Sequence, residues 1–187
     1  MNKYWMSGLG LMLFSGAVAA APLQVVSSFS ILGDVVKQVG GDRVAVTNLV
    51  GANQDSHAYN MTAADVKKIR AAKLVLVSGL GLEKAEMMRA VKQSKVPYAE
   101  ATAGIKALAA PEGGGHDHGH DHDHDHGEYD PHVWTDPVLM QKYASNVAVA
   151  LIKADPANKD YYLQRLQAYS GELVKLDSYA QIGRAHV

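Results

Sequence analysis

Leu74, Val75, Leu76 and Val77 form an unbroken apolar run between Lys73 and Ser78-Gly79. A strand with one face in water alternates polar and apolar residues. A strand with no alternation must be covered on both faces, as in a parallel sheet flanked by helices. The chain on either side follows the rhythm such a sheet needs. LQVVSSF (23–29) reads as a strand, and Ser30 is positioned to cap the helix ILGDVVKQVG that closes at Gly40-Gly41. RVAVTNLV (43–50) is a second strand and GANQDSHAYN (51–60) a turn-rich loop. Thr62 and Asp65 have capping-box spacing ahead of a helix with Val66 and Ile69 on one face. LEKAEMMRAVKQS (82–94) is helical and VPYAEAT (96–102) a fourth strand. Strands alternating with helices predict an α/β fold with a four-stranded parallel sheet flanked by helices.

Two further helices follow. Asp136-Pro137 and Asp155-Pro156 each set a potential capping Asp before a proline at the first helical position. Tyr162, Leu166, Tyr169, Leu173, Leu176 and Ala180 recur at spacings of four and three, one apolar stripe on a long helix. A helix of that length beside a small sheet is expected to act as a spine that carries something beyond it.

Between these regions lies HDHGHDHDHDHGEYDPHVWTDP, with histidine at positions 116, 118, 120, 122, 124 and 126 and again at 132. Alternating His and Asp leave no apolar face, so the tract forms neither a core strand nor a core helix. Imidazole is the commonest metal ligand, and a dense histidine tract has metal affinity by composition. With glycines on both sides, His116, His118, His120, His122, His124 and His126 are expected to offer several weak, exchanging sites on a mobile loop. His57, in the loop after the second strand, and His132, just before a capped helix, are better placed for one defined site. In parallel sheets ligands gather beyond the carboxyl ends of the strands, where the His57 loop lies. Asp130 and Asp136 have cap or turn roles, and either can orient an imidazole. Trp134 reads as a packing residue.

Other classes find no support. A net charge of -1, with no basic cluster, gives nucleic acid no electrostatic footprint. The chain has no cysteine, so it has neither a disulfide framework nor a thiolate zinc site. It shows no HExxH helix, nucleophile elbow or phosphate loop, and SGLG (78–81) has too few glycines for a dinucleotide site. No catalytic residue is therefore assigned. Residues 1–21 read as a cleaved signal peptide, with Lys3 ahead of a short apolar stretch and small residues at its end. Without a lipobox cysteine the mature protein is expected free in a bacterial periplasm. IGRAHV (182–187) interrupts a continuing helix and back-translates into a common sequencing-adapter stretch, so His186 receives no function.

QDSHAYNMTAADVKKI and DPHVWTDP, with the His/Asp tract between them, resemble the zinc-type solute-binding proteins of bacterial metal ABC transporters (cluster A-I). The resemblance runs to about Gln181. Asn60-Met61 departs from the glutamine or proline frequent there in relatives, which affects the shape of the loop. The resemblance implies two α/β lobes joined by a long helix, with metal in the cleft. It carries the ligand role onto His57 and His132 and leaves the remaining ligands to a second lobe absent here. The implied division is a lobe over 22–110, the tract at 111–128, the second-ligand motif and its helix at 129–155, and the linking helix at 156–181. The implied function is capture of Zn²⁺ by a monomer and its delivery to an inner-membrane ABC permease. Mn²⁺ ranks lower because crowded imidazoles suit zinc. The alternatives are a manganese or iron carrier of the same fold and a surface adhesion or metal-storage protein.

Overall fold

The computed structural model describes residues 21–109 and 129–184. The leader residues 1–20, the tract histidines His116, His118, His120, His122, His124 and His126, and His186 lie outside the described residues. Strands β1 (Leu23–Phe29), β2 (Val44–Val50), β3 (Leu74–Val77) and β4 (Tyr98–Glu100) form one parallel sheet in the order β2-β1-β3-β4. All four residues of β3 are buried, as an apolar run without alternation requires.

The helices are α1 (Ser30–Gly40), α2 (Ala63–Ala71), α3 (Ala85–Ser94), α4 (Pro137–Ala154) and α5 (Lys159–Arg184). The chain steps from β1 to β2, then returns past β1 to β3 and β4. Right-handed crossovers in opposite directions therefore place α1 on one face and α2 with α3 on the other. α1 packs against both α4 and α5. α2 begins with the expected capping box, in which the Thr62 hydroxyl accepts from Asp65 N and the Asp65 carboxylate accepts from Thr62 N. Asp136 caps α4, accepting from Val138 N at 2.7 Å and Leu139 N at 3.3 Å.

Two caps differ from expectation. Ser30 is the first residue of α1 and Phe29 takes the cap position, with no side-chain cap. β1 runs into the helix without a loop, so the end of the buried strand sets where α1 starts. Asp155 does not cap α5, because a 3-10 turn (Pro156–Asn158) intervenes. Its carboxylate instead accepts from Asn158 Nδ2 and from Tyr162 Oη, each at 2.7 Å.

The apolar stripe of α5 is covered over only part of its length. Tyr162 and Leu173 are buried and Leu166 and Tyr169 partly so, whereas Leu176 and Tyr179 are 52% and 76% exposed. From Leu173 to Arg184 the helix extends about 16 Å farther, at 1.5 Å per residue.

Candidate metal centre

β2 ends at Val50, and its loop carries His57 over the carboxyl edge of the sheet. Short-range bonds shape this loop. Gln54 Oε1 accepts from Gly51 N at 2.7 Å, and Asp55 Oδ1 accepts from His57 N at 2.8 Å. The second loop repeats the device, with Asp130 Oδ1 accepting from His132 N at 2.9 Å. In both, an Asp two residues upstream binds the histidine's amide, an Asx-type turn that holds the backbone while the imidazole projects.

The two imidazoles meet. His57 Nε2 and His132 Nε2 lie 3.3 Å apart, with the ring planes inclined at 52°. Two metal–nitrogen bonds of about 2.0–2.1 Å at a tetrahedral angle separate their nitrogens by about 3.3 Å. Two nitrogens held by one cation would have this spacing, and both rings are solvent-exposed. Among the described residues no group of three or more His, Asp or Glu side chains gathers to hold a metal.

Each ring has its own support. Asp130 Oδ1 contacts His132 Nδ1 at 2.6 Å, and the His132 backbone amide, followed by this ring contact, holds the Asp130 carboxyl below its ordinary range. The Trp134 ring meets His132 edge-on at 5.2 Å and packs at a tilt against Phe29 at 4.9 Å, which ties the second loop to the end of β1. Trp134 is the packing residue its sequence context predicts. The His57 loop is held by Tyr59, whose hydroxyl donates to Asp65 Oδ2 at 2.7 Å. Burial and this bond push Tyr59 up to about 12. Burial raises Asp65 too, but hydrogen bonds from Thr62, Lys68 and Tyr59 outweigh it and hold the carboxyl well below its ordinary range. At the departure Asn60-Met61 the loop is tied to α3: Lys84 Nζ donates to Asn60 Oδ1 at 3.2 Å and Met61 N to Glu86 Oε1 at 3.1 Å.

Sequence reasoning missed Glu83. Its carboxylate accepts from Ser28 Oγ at 2.7 Å, Ser78 N at 2.6 Å and Gly79 N at 3.0 Å. β1 and β3 are the strands between which the connections change direction, the crevice where open α/β sheets bind ligands. Here a side chain of the protein fills it, so the candidate centre stands above, in the loops. Gly79, Leu80 and Gly81 all have positive φ, a turn that aims backbone amides inward at a carboxylate. The glycines of SGLG were the available signal.

The chain is 34% identical over 166 residues to the manganese ABC transporter substrate-binding lipoprotein PsaA of Streptococcus pneumoniae, covering 85% of this chain and 50% of that protein. It is 31% identical over 157 residues to the manganese-binding lipoprotein MntA of Halalkalibacterium halodurans, covering 84% and 48%. The chain thus spans about half the length of the curated relatives it matches. Among solved structures, the Mn-bound periplasmic metal binding protein from candidatus liberibacter asiaticus superposes with a TM-score of 0.67 at 34% identity, over 80% of this chain and 52% of that one. The Zn(II)-bound AdcA from Streptococcus pneumoniae superposes with a TM-score of 0.70 at 29% identity, over 84% and 32%.

These names correct the expected cargo. Zn²⁺ was ranked above Mn²⁺, yet manganese is the metal that recurs among the similar proteins. That ranking rests on the composition of the tract and not on His57 and His132. The family model that matches residues 25–186 is described as ZnuA: zinc-uptake complex component A periplasmic, and the chain belongs to that family.

Proposed function

We propose that this chain is the first metal-binding lobe of a periplasmic capture protein that takes a divalent cation, manganese before zinc, and passes it to an inner-membrane ABC permease. The protein acts as a monomer, and His57 and His132 are two of the ligands. Residues 22–110 and 129–155 form the lobe, and 156–181 the helix leading from it. The observation that carries the reading is the 3.3 Å separation of the two Nε2 atoms on loops 75 residues apart. Binding is the whole chemistry; no bond is made or broken. His116, His118, His120, His122, His124 and His126 serve as an auxiliary low-affinity store. Deleting 116–126 removes weakly held metal and leaves the tightly held ion.

Affinity for nitrogen and oxygen sites rises from manganese to zinc whatever the site, so competition in a cuvette does not report the physiological cargo. The test is uptake of radiolabelled manganese by cells carrying the intact gene. Expected is uptake that is lost on gene deletion and not restored by His57→Ala or His132→Ala. Deletion that lowers zinc uptake alone, or variants that restore manganese uptake fully, would overturn the reading.

A further inference from the structure

The two imidazoles do not have equal surroundings. The His132 ring contacts a carboxylate through Nδ1 and the other imidazole through Nε2. The His57 ring meets His132 through Nε2, and Asp55 accepts from the His57 backbone amide rather than from its ring. An ionised carboxylate accepts hydrogen bonds and cannot donate. The 2.6 Å contact with Asp130 therefore places a proton on His132 Nδ1, which leaves Nε2 of the neutral ring as a bare lone pair. Across the 3.3 Å gap, two bare nitrogens would repel, so the hydrogen of this contact comes from His57 Nε2.

We propose that Asp130 is a positioning residue that presets His132 as the ready ligand and makes His57 the hydrogen-bond donor of the metal-free pair. The inference rests on the reading of His57 and His132 as ligands and adds an order to it. A cation can take the His132 lone pair as it stands. Before His57 can bind, its N–H bond at Nε2 must break while one forms at Nδ1, with water carrying the proton and the ring remaining neutral. Metal-free protein is thus closed by an N–H···N bond that the cation replaces. His132 is the first contact and His57 the second.

The experiment uses the full chain, stripped of metal by chelator and labelled with ¹⁵N in its histidines. Long-range proton–nitrogen NMR at pH 8 distinguishes the two tautomers, with signals assigned by His57→Gln and His132→Gln. Expected is the Nδ1–H form for His132 and the Nε2–H form for His57. In Asp130→Ala, His132 shifts toward Nε2–H. Asp130→Asn, which keeps an acceptor oxygen for both the ring and the backbone amide, restores Nδ1–H. A residue with a merely structural role would not move this signature. Mn²⁺ affinity should fall about 10- to 100-fold in Asp130→Ala, as for other carboxylates that orient a ligand histidine, with Asp130→Asn between it and wild type. An Nε2–H form of His132 in the wild type, or an unchanged tautomer in Asp130→Ala, would overturn the proposal. Full Mn²⁺ affinity in His132→Ala would instead overturn the ligand reading, whatever the tautomers show.

Discussion

Tyr59 donates its hydroxyl to Asp65 Oδ2 across 2.7 Å, and this bond fastens the His57 loop to the first turn of α2. Asp65 is buried and already occupied by Thr62 and Lys68, so the loop is anchored to a rigid group. The same carboxylate closes the capping box and holds the loop, which couples the placement of His57 to the start of a helix.

Tyr59→Phe should therefore cost about 1.5 kcal/mol, the low end for a bond to a charged group, because Tyr59 is only half-buried. The His57 loop should loosen more than the fold as a whole. Urea unfolding measures the first effect, and amide exchange of residues 55–60 the second.

The pH dependence follows from the same pair, with opposite signs. The hydroxyl of Tyr59 is raised to about 12, by burial first and by its bond to Asp65 next. A raised folded pKa contributes stability that is complete below the free tyrosine value of about 10 and is lost as pH climbs toward 12. Asp65 is lowered, its hydrogen bonds outweighing burial, so its contribution is complete above about pH 4 and is lost only in strong acid. Chemical unfolding across pH should show an alkaline loss that Tyr59→Phe reduces and an acid loss that it does not abolish.

Gly40 tests the packing of α1 onto β2. A Cβ there would lie 2.4 Å and 2.6 Å from the two methyls of Val44, a β-branched residue fixed on a strand. Gly40→Ala should cost about 1–3 kcal/mol as overpacking, despite the better helix propensity of alanine. Thermal unfolding reads this directly, and Val44→Ala in the same chain should recover part of the loss.

On α5 two leucines three residues apart should behave differently. Leu173 is buried against the lobe, whereas Leu176 is 52% exposed. Leu173→Ala should cost about 2–3 kcal/mol, and Leu176→Ala less than about 0.5 kcal/mol. In this chain taken by itself, apart from the whole monomeric protein proposed above, Leu176→Ser with Tyr179→Ser should lower association at high concentration, because the far end of α5 presents apolar side chains to water. Light scattering against concentration checks this.

Features bounded within a few residues were legible in the chain. The capping box joins residues three apart, the Asp136 cap reaches two and three residues on, and the burial of β3 follows from four side chains in succession. Ser30 and Asp155 carried the same local signals and did not cap. At Ser30 a strand runs straight into the helix, and at Asp155 a 3-10 turn and the Tyr162 hydroxyl claim the carboxylate. The glycines of SGLG mark a tight turn but not the carboxylate it receives, because the Glu83 partner Ser28 is 55 residues away and no periodicity marks a carboxylate that plugs a crevice.

The sequence by itself determined the element order, the parallel sheet and the kinds of ligand available, because strand burial, capping and imidazole chemistry are properties of neighbouring residues. Only the tertiary structure decided that His57 and His132 stand 3.3 Å apart, that Asp130 rather than Asp136 holds the His132 ring, and that Glu83 occupies the crevice. The physical reason is the strand order β2-β1-β3-β4. It sets the loop after β2 beside the end of β1, where Trp134 against Phe29 brings the segment before α4, and a distance between residues 75 apart in sequence exists only once that edge has formed.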